Sequence, residues 1–226
     1  MSKGAQNVMK HEHEDHVVSN QPEFFEFTKE NQKLAEKIIA RYPEGRQASA
    51  ILPLLDMAQR QAGGWLPRAA IVHVADVLTM PQIRAFEVAT FYTMFNLEPV
   101  GKNFIQVCGT TPCMLRGAEE LVQTCKNHLG VEKGQVTEDG LFSWCEVECL
   151  GACVNAPMVQ INDDYYTDLD SEKFKKILED LKAGKKIQVG SSRGRQGSAP
   201  EGGLTSLTEG ADSSKPKPTK RGRDAH

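Results

Sequence analysis

Six cysteines offer the clearest chemistry in this 226-residue chain: Cys108, Cys113, Cys125, Cys145, Cys149 and Cys153. None precedes position 108. A disulfide scaffold would spread its bridges through a short secreted chain, so crowding in one half of a longer chain points to metal ligation. Thiolates are soft ligands that select zinc, copper(I) or iron–sulfur clusters. Cys108 and Cys113 form a C-x4-C pair, and Cys149 and Cys153 a C-x3-C pair. Both are wider than the C-x2-C knuckle that sets two sulfurs on one zinc ion. A binuclear iron–sulfur cluster divides two thiolate pairs between two irons, which suits wider loops. Cys145 and Cys149 repeat the C-x3-C separation, so spacing alone leaves Cys145 as a competing ligand.

The elements that must position these residues decide between the pairs. Residues 104–107 read as a strand that Cys108 follows directly. Residues 114–129 read as an amphipathic helix with Leu121, Val122, Cys125 and Leu129 on one face. Strands are expected at 141–147, 158–161 and 165–167, the last two joined by a turn at Asn162, Asp163 and Asp164. A helix over 171–183 stops at Gly184. The order β-α-β-β-α suits a small thioredoxin-type α/β domain. If the first two strands are neighbours, two loops leaving their ends bring four sulfurs together. Cys149 and Cys153 bracket Leu150-Gly151-Ala152 in such a loop, whereas Cys145 falls in a strand and Cys125 on an apolar helix face. The loop pair is therefore favoured. Gly109, Gly151 and Ala152 are small enough for backbone N–H groups to approach the site, and the helix from Met114 would point its positive end there.

The preceding residues read as helical: 29–41, 48–61 until Gly63-Gly64, and two further helices whose first turns hold Pro67 and Pro81. The fourth holds Ile83, Val88, Phe91 and Phe95. Four short helices with tight connections make a small bundle. Phe91, Tyr92, Met94 and Phe95 circle that last helix and suit either bundle core or a subunit interface.

Composition sets the limits. At 39% hydrophobic and 25% charged residues, the chain can bury a core. No apolar run is long enough to span a bilayer, and a net charge of −3 argues against a nucleic-acid binder. The basic charge gathers in residues 185–226, which are rich in Gly, Ser and Pro. Neither end reads as an uncleaved targeting signal, so any transit peptide lies outside this numbering. His11, His13 and His16 read as a solvated acidic segment, because ordering them on a metal costs entropy. Arg116 reads as a surface arginine, with offset of site charge as the alternative. Pro157 stands where thioredoxin-like folds often hold a cis proline. No G-x-G-x-x-G fingerprint or P-loop is present.

Cys108-Gly109-Thr110-Thr111-Pro112-Cys113-Met114-Leu115-Arg116-Gly117 and Glu148-Cys149-Leu150-Gly151-Ala152-Cys153-Val154-Asn155-Ala156-Pro157 resemble the 24 kDa iron–sulfur subunit family of respiratory complex I. Leu52 to Gln61, Glu87 to Phe95 and Gly202 to Glu209 are similar to that family as well, the last to the extension of its mitochondrial type. Cys145 departs from the family, where an aliphatic residue is more usual, as does the basic stretch 215–223.

The resemblance implies an α+β fold: a flexible segment at 1–22, a helical bundle at 23–98, a thioredoxin-like domain at 99–184 and an extended basic tail at 185–226. It implies one [2Fe–2S] cluster per chain on Cys108, Cys113, Cys149 and Cys153, and no catalytic acid, base or nucleophile. FMN and NADH would sit on a partner flavin-binding subunit, with the large iron–sulfur subunit as a second partner. The location implied is the peripheral arm of the proton-translocating NADH:ubiquinone oxidoreductase, on the matrix side of the mitochondrial inner membrane. Competing readings are a zinc-stabilised binding module and the same subunit type in an NAD-linked formate dehydrogenase or hydrogenase. A thiol–disulfide enzyme would need a C-x-x-C dithiol, which this chain lacks.

Overall fold

A computed structural model describes residues 21–198. The histidines at 11, 13 and 16 and the stretches 202–209 and 215–223 lie outside those residues. The chain divides between Lys102 and Asn103 into two units.

The first unit is helical: α1 (Lys29–Ile39), a 3-10 turn (Gln47–Ala50), α2 (Ile51–Gln61), α3 (Arg68–Val77) and α4 (Gln82–Phe91). The Thr28 hydroxyl caps α1 by accepting from the Asn31 N–H at 3.2 Å. Pro67 and Pro81 stand at the caps of α3 and α4, one residue before the first turns. Leu54, Leu55, Ala58, Ala70 and Val74 are fully buried and form the centre of this core. A buried leucine contributes about 1.5–3 kcal/mol relative to an exposed one.

One sequence expectation is corrected in this unit. Helix α4 ends at Phe91, and Tyr92 already adopts extended backbone. Phe91, Tyr92 and Met94 are exposed while Phe95 is buried, so the four do not circle a helix. Gln59, nearly buried on α2, holds the segment in place. Its side-chain amide donates to the Met94 carbonyl at 3.0 Å and accepts from the Asn96 N–H at 2.7 Å.

The second unit holds a five-stranded mixed sheet of β1 (Asn103–Cys108), β2 (Phe142–Val147), β3 (Met158–Ile161), β4 (Asp164–Thr167) and β5 (Gly190–Ser191), in the order β2-β1-β3-β4-β5. Strands β1 and β2 run parallel, with Cys108 beside Val147, and β3 pairs antiparallel with both β1 and β4. Two helices, α6 (Ala118–Leu129) and α7 (Ser171–Lys182), pack together on this sheet. Leu121, Val122 and Cys125 of α6 and Phe174 and Leu178 of α7 bury against Ile105, Phe142, Trp144 and Val159. The Trp144 indole N–H, taken out of water, donates to the Val131 carbonyl at 2.9 Å.

The expected helix over 114–129 is in fact two, α5 (Thr111–Leu115) and α6. Gly117 separates them with φ 102, a conformation that a Cβ makes costly. Cys113 therefore lies inside the short α5, and the longer helix starts only after this break. The α+β reading holds, with helices followed by a thioredoxin-like sheet and its covering helices.

Candidate metal centre

Because β1 and β2 are parallel neighbours, the loops that leave them emerge from the same end of the sheet. The Gly109 N–H donates to the Val147 carbonyl at 3.1 Å and ties the two loop origins together. Cys108 ends β1, and α5 turns Cys113 back toward it; both are almost wholly buried. Cys149 and Cys153 lie in the loop after β2 and are exposed. Their sulfurs are 3.4 Å apart.

The two pairs meet. Thiol hydrogen bonding links Cys108 to Cys113, and the Thr110 hydroxyl interacts with both Cys108 and Cys149. Cys108 also interacts electrostatically with Cys149 and Cys153. The structure thus brings together the four cysteines read from the loops. Among the described residues no three His, Cys, Asp or Glu side chains are placed to hold a single metal ion. The sulfurs are instead arranged as two pairs, the donor set of a binuclear cluster.

Local backbone supports this arrangement. Gly151 adopts φ 80, which aims its N–H at the Cys149 sulfur, 3.4 Å away. The Tyr165 hydroxyl donates to the Leu150 carbonyl at 2.7 Å and fixes the middle of the loop. Leu150, Ala152, Ala156 and Met158 pack around Cys108 and Cys113.

Protonation differs among the thiols. Burial pushes Cys108 up, but hydrogen bonds from the Thr110 hydroxyl and the Leu150 backbone outweigh it, so its pKa is lowered. The Gly151 N–H and the neighbouring Cys153 thiol lower that of Cys149. Cys113 is pushed up to about 12 by burial and by its bond to Cys108. The Cys149 thiol beside it raises Cys153. Each loop therefore pairs one thiol of lowered pKa with one of raised pKa.

Cys125 is fully buried in the sheet–helix core, where burial pushes its pKa up to about 12. Cys145 lies within β2 opposite Gln106, half-buried, its pKa raised to about 11 by burial. Arg116 follows α5 and is exposed. The Ala156–Pro157 peptide is cis.

Sequence reasoning missed one group beside the second ligand loop. Asp168, its side chain 2% exposed, accepts from Arg195, Asn155 and Ser191. No motif marks these residues. Asn155 could have been suspected because it follows Cys153 so closely, but Arg195 stands in a stretch that reads as solvated.

The sequence profile of the thioredoxin-like [2Fe–2S] ferredoxins matches residues 35–182. The chain is 63% identical over 158 residues to an NADH-quinone oxidoreductase subunit of Rickettsia bellii, covering 70% of this chain and 95% of that protein. It is 50% identical over 185 residues to the mitochondrial NADH dehydrogenase [ubiquinone] flavoprotein 2 of Dictyostelium discoideum, covering 82% of this chain and 75% of that one. Among solved structures, an H2-reduced NAD+-reducing [NiFe]-hydrogenase shares the fold with a TM-score of 0.51 at 23% identity, covering 60% of this chain and 23% of that chain.

Proposed function

The chain belongs to the thioredoxin-like [2Fe–2S] ferredoxin family, and from that premise we propose that it is the electron-transfer iron–sulfur subunit of an NADH:quinone oxidoreductase. The observation that carries this reading is the convergence of two thiol pairs at the carboxyl ends of parallel β1 and β2. We assign the ligands to Cys108, Cys113, Cys149 and Cys153.

When bound, the cluster supplies one-electron redox chemistry. The chain's own residues hold it and set its surroundings. Cys108 and Cys149 give up their protons most readily, while Cys113 and Cys153 must lose theirs as the metal arrives, so assembly releases protons. Leu150, Ala152, Ala156 and Met158 limit water at the inner pair. The Gly151 N–H donates to the Cys149 sulfur, and such bonds stabilise added negative charge. None of these roles requires an acid, base or nucleophile.

NADH and FMN belong in this reading to a partner flavoprotein subunit, with the large iron–sulfur subunit alongside. The relatives' names support it, both being proteins of NADH dehydrogenase or NADH-quinone oxidoreductase type. The mitochondrial relative supports a mitochondrial location, and in this reading the chain sits in the peripheral arm on the matrix side of the inner membrane, within a proton-translocating enzyme. Among the described residues no helix is long and apolar enough to cross a membrane.

Iron and acid-labile sulfide assays test the cofactor directly. About two of each per chain are expected. One tightly bound zinc without sulfide would sink the reading and leave a zinc-stabilised binding module. Affinity purification from the native source tests the complex. Recovery with a flavin-binding NADH dehydrogenase subunit supports it, whereas recovery with formate dehydrogenase or hydrogenase subunits would overturn it.

A further inference from the structure

The turn that carries Cys153 is also held from outside the cysteine loops. Residues Cys153–Asn155 form a 3-10 turn, closed locally by the Asn155 N–H on the Ala152 carbonyl at 2.9 Å and the Ala156 N–H on the Cys153 carbonyl at 3.3 Å. Further bonds reach it from Asp168, which follows β4, and from the segment after α7. Strand β5 adds to the sheet edge beside β4, and the Ser192 N–H donates to the Thr167 carbonyl at 3.0 Å.

From there Arg195 reaches inward. Its Nε and Nη2 donate to Asp168 Oδ1 at 2.9 and 2.6 Å. The same Nη2 donates to the carbonyl of Val154, the residue after Cys153, at 2.6 Å. Asn155 Nδ2 donates to Asp168 Oδ2 at 2.9 Å and to the Gln196 carbonyl at 3.2 Å. The Asp168 N–H donates to the Asn155 carbonyl at 2.8 Å. Ser191 Oγ completes the carboxylate at 2.6 Å. Both carboxylate oxygens are thus used, and Val154 and Asn155 are bonded to the strap through backbone and side chain alike.

We propose that Arg195 and Asp168 are positioning residues for the cluster: with β5 they form a strap that fixes the turn bearing Cys153. This rests on the ligand assignment made above. A buried carboxylate is retained only if its charge is matched and its lone pairs are filled, and here the groups that fill them also grip the ligand turn. The pair is close to neutral in sum, so it acts by holding geometry and not by adding charge. Outer partners that orient a metal ligand commonly change metal affinity by about 10- to 100-fold when removed. The exposed Arg193, two residues before Arg195, donates only its backbone N–H to Ser191 Oγ within this cluster.

The test uses the full chain carrying its cluster, with release by an iron chelator followed optically and the reduced state by EPR. Arg195→Met is expected to release iron about 10- to 100-fold faster than wild type and to shift the g-values. Arg195→Lys, which keeps the charge but not the forked donor, should recover part of both effects. Arg193→Met removes the same charge and should match wild type. Hydrogen exchange at the Asn155 amide should quicken in Arg195→Met. Wild-type release and g-values in Arg195→Met would overturn the strap, as would equal loss in Arg193→Met. If Arg195→Met does not fold, Arg195→Lys and Asp168→Asn decide by the same two readouts. An unaltered cluster spectrum in Cys153→Ser would overturn the ligand assignment instead, on a variant that leaves the strap intact.

Discussion

Cys145 and Cys149 are separated by the same three residues as Cys149 and Cys153, yet their thiols meet different surroundings. Cys145 is fixed in β2 and its proton is held by burial, with no hydrogen-bond donor among the causes that shift it. Cys149 is exposed, accepts from the Gly151 N–H and lies 3.4 Å from the Cys153 sulfur. Placement separates the two and acidity does not, because Cys113, buried beside Cys108, is also pushed up to about 12: Cys149 stands in the loop next to Cys153, whereas Cys145 is held inside the strand. Replacing Cys149 by serine should abolish the reduced-state EPR signal or change its shape. Replacing Cys145 by serine should leave the signal intact and cost no more than about 1 kcal/mol of stability, since its site is half open to water. Loss of the signal in Cys145→Ser would show that the wrong pair has been assigned. The sulfur count and the loop positions of these residues were legible in the sequence because thiol spacing and glycine carry strong local signals. The carboxylate that braces their loop was not, because Asp168 and Arg195 are 27 positions apart and only the folded sheet edge brings them together.

At the level of elements, the chain's punctuation explains what could be read and what could not. Strand β3 was legible to its end residues, because a short apolar run meets Asn162, whose φ of 54 suits a tight hairpin turn. The break between α5 and α6 was not legible, since apolar residues recur at helical spacing on both sides of it. Gly117 makes the break by adopting φ 102, and the Glu120 N–H then donates to its carbonyl at 3.1 Å to start α6. An added Cβ would meet no close atom, the nearest being Glu120 Cδ at 3.8 Å. The penalty of Gly117→Ala is therefore one of backbone conformation, about 1–2 kcal/mol. Urea unfolding of the loaded protein should show that loss as a lower midpoint with an unchanged slope. Because α5 carries Cys113, relief of the strain by straightening the helix would also swing that thiol, and the EPR line shape should change with it. A variant as stable as wild type would mean that the break is set by tertiary packing and not by this glycine.

Across the whole molecule, each unit contains a titratable group whose folded state disfavours protonation. In the helical unit His73 lies edge-on between Phe25 and Phe27, and its Nε2 accepts from the Phe27 N–H at 3.4 Å. Burial lowers its pKa, with Glu26 and Asp76 partly opposing the shift. In the sheet unit burial would raise Asp168, but bonds from Arg195, Asn155 and Ser191 prevail and hold it at about 2. Both pKa values are below their ordinary ones, so in both cases the unfolded chain binds the proton first and stability falls as pH falls. The windows differ. The histidine contribution fades from about pH 6.5 downward, and the aspartate contribution, of order 2 kcal/mol, fades only between about pH 4 and 2. Acidification should therefore loosen the segment around Phe27 well before it loosens the β4–β5 edge. Hydrogen exchange, corrected for the intrinsic effect of pH, should show protection of the Phe27 amide falling between pH 7 and 5. Over the same range the Ser192 amide, bonded to the Thr167 carbonyl, should keep its protection. A His73→Gln variant, which cannot be protonated, should flatten the first change. If Phe27 protection in wild type stays constant to pH 5, His73 is not what holds that segment to the bundle.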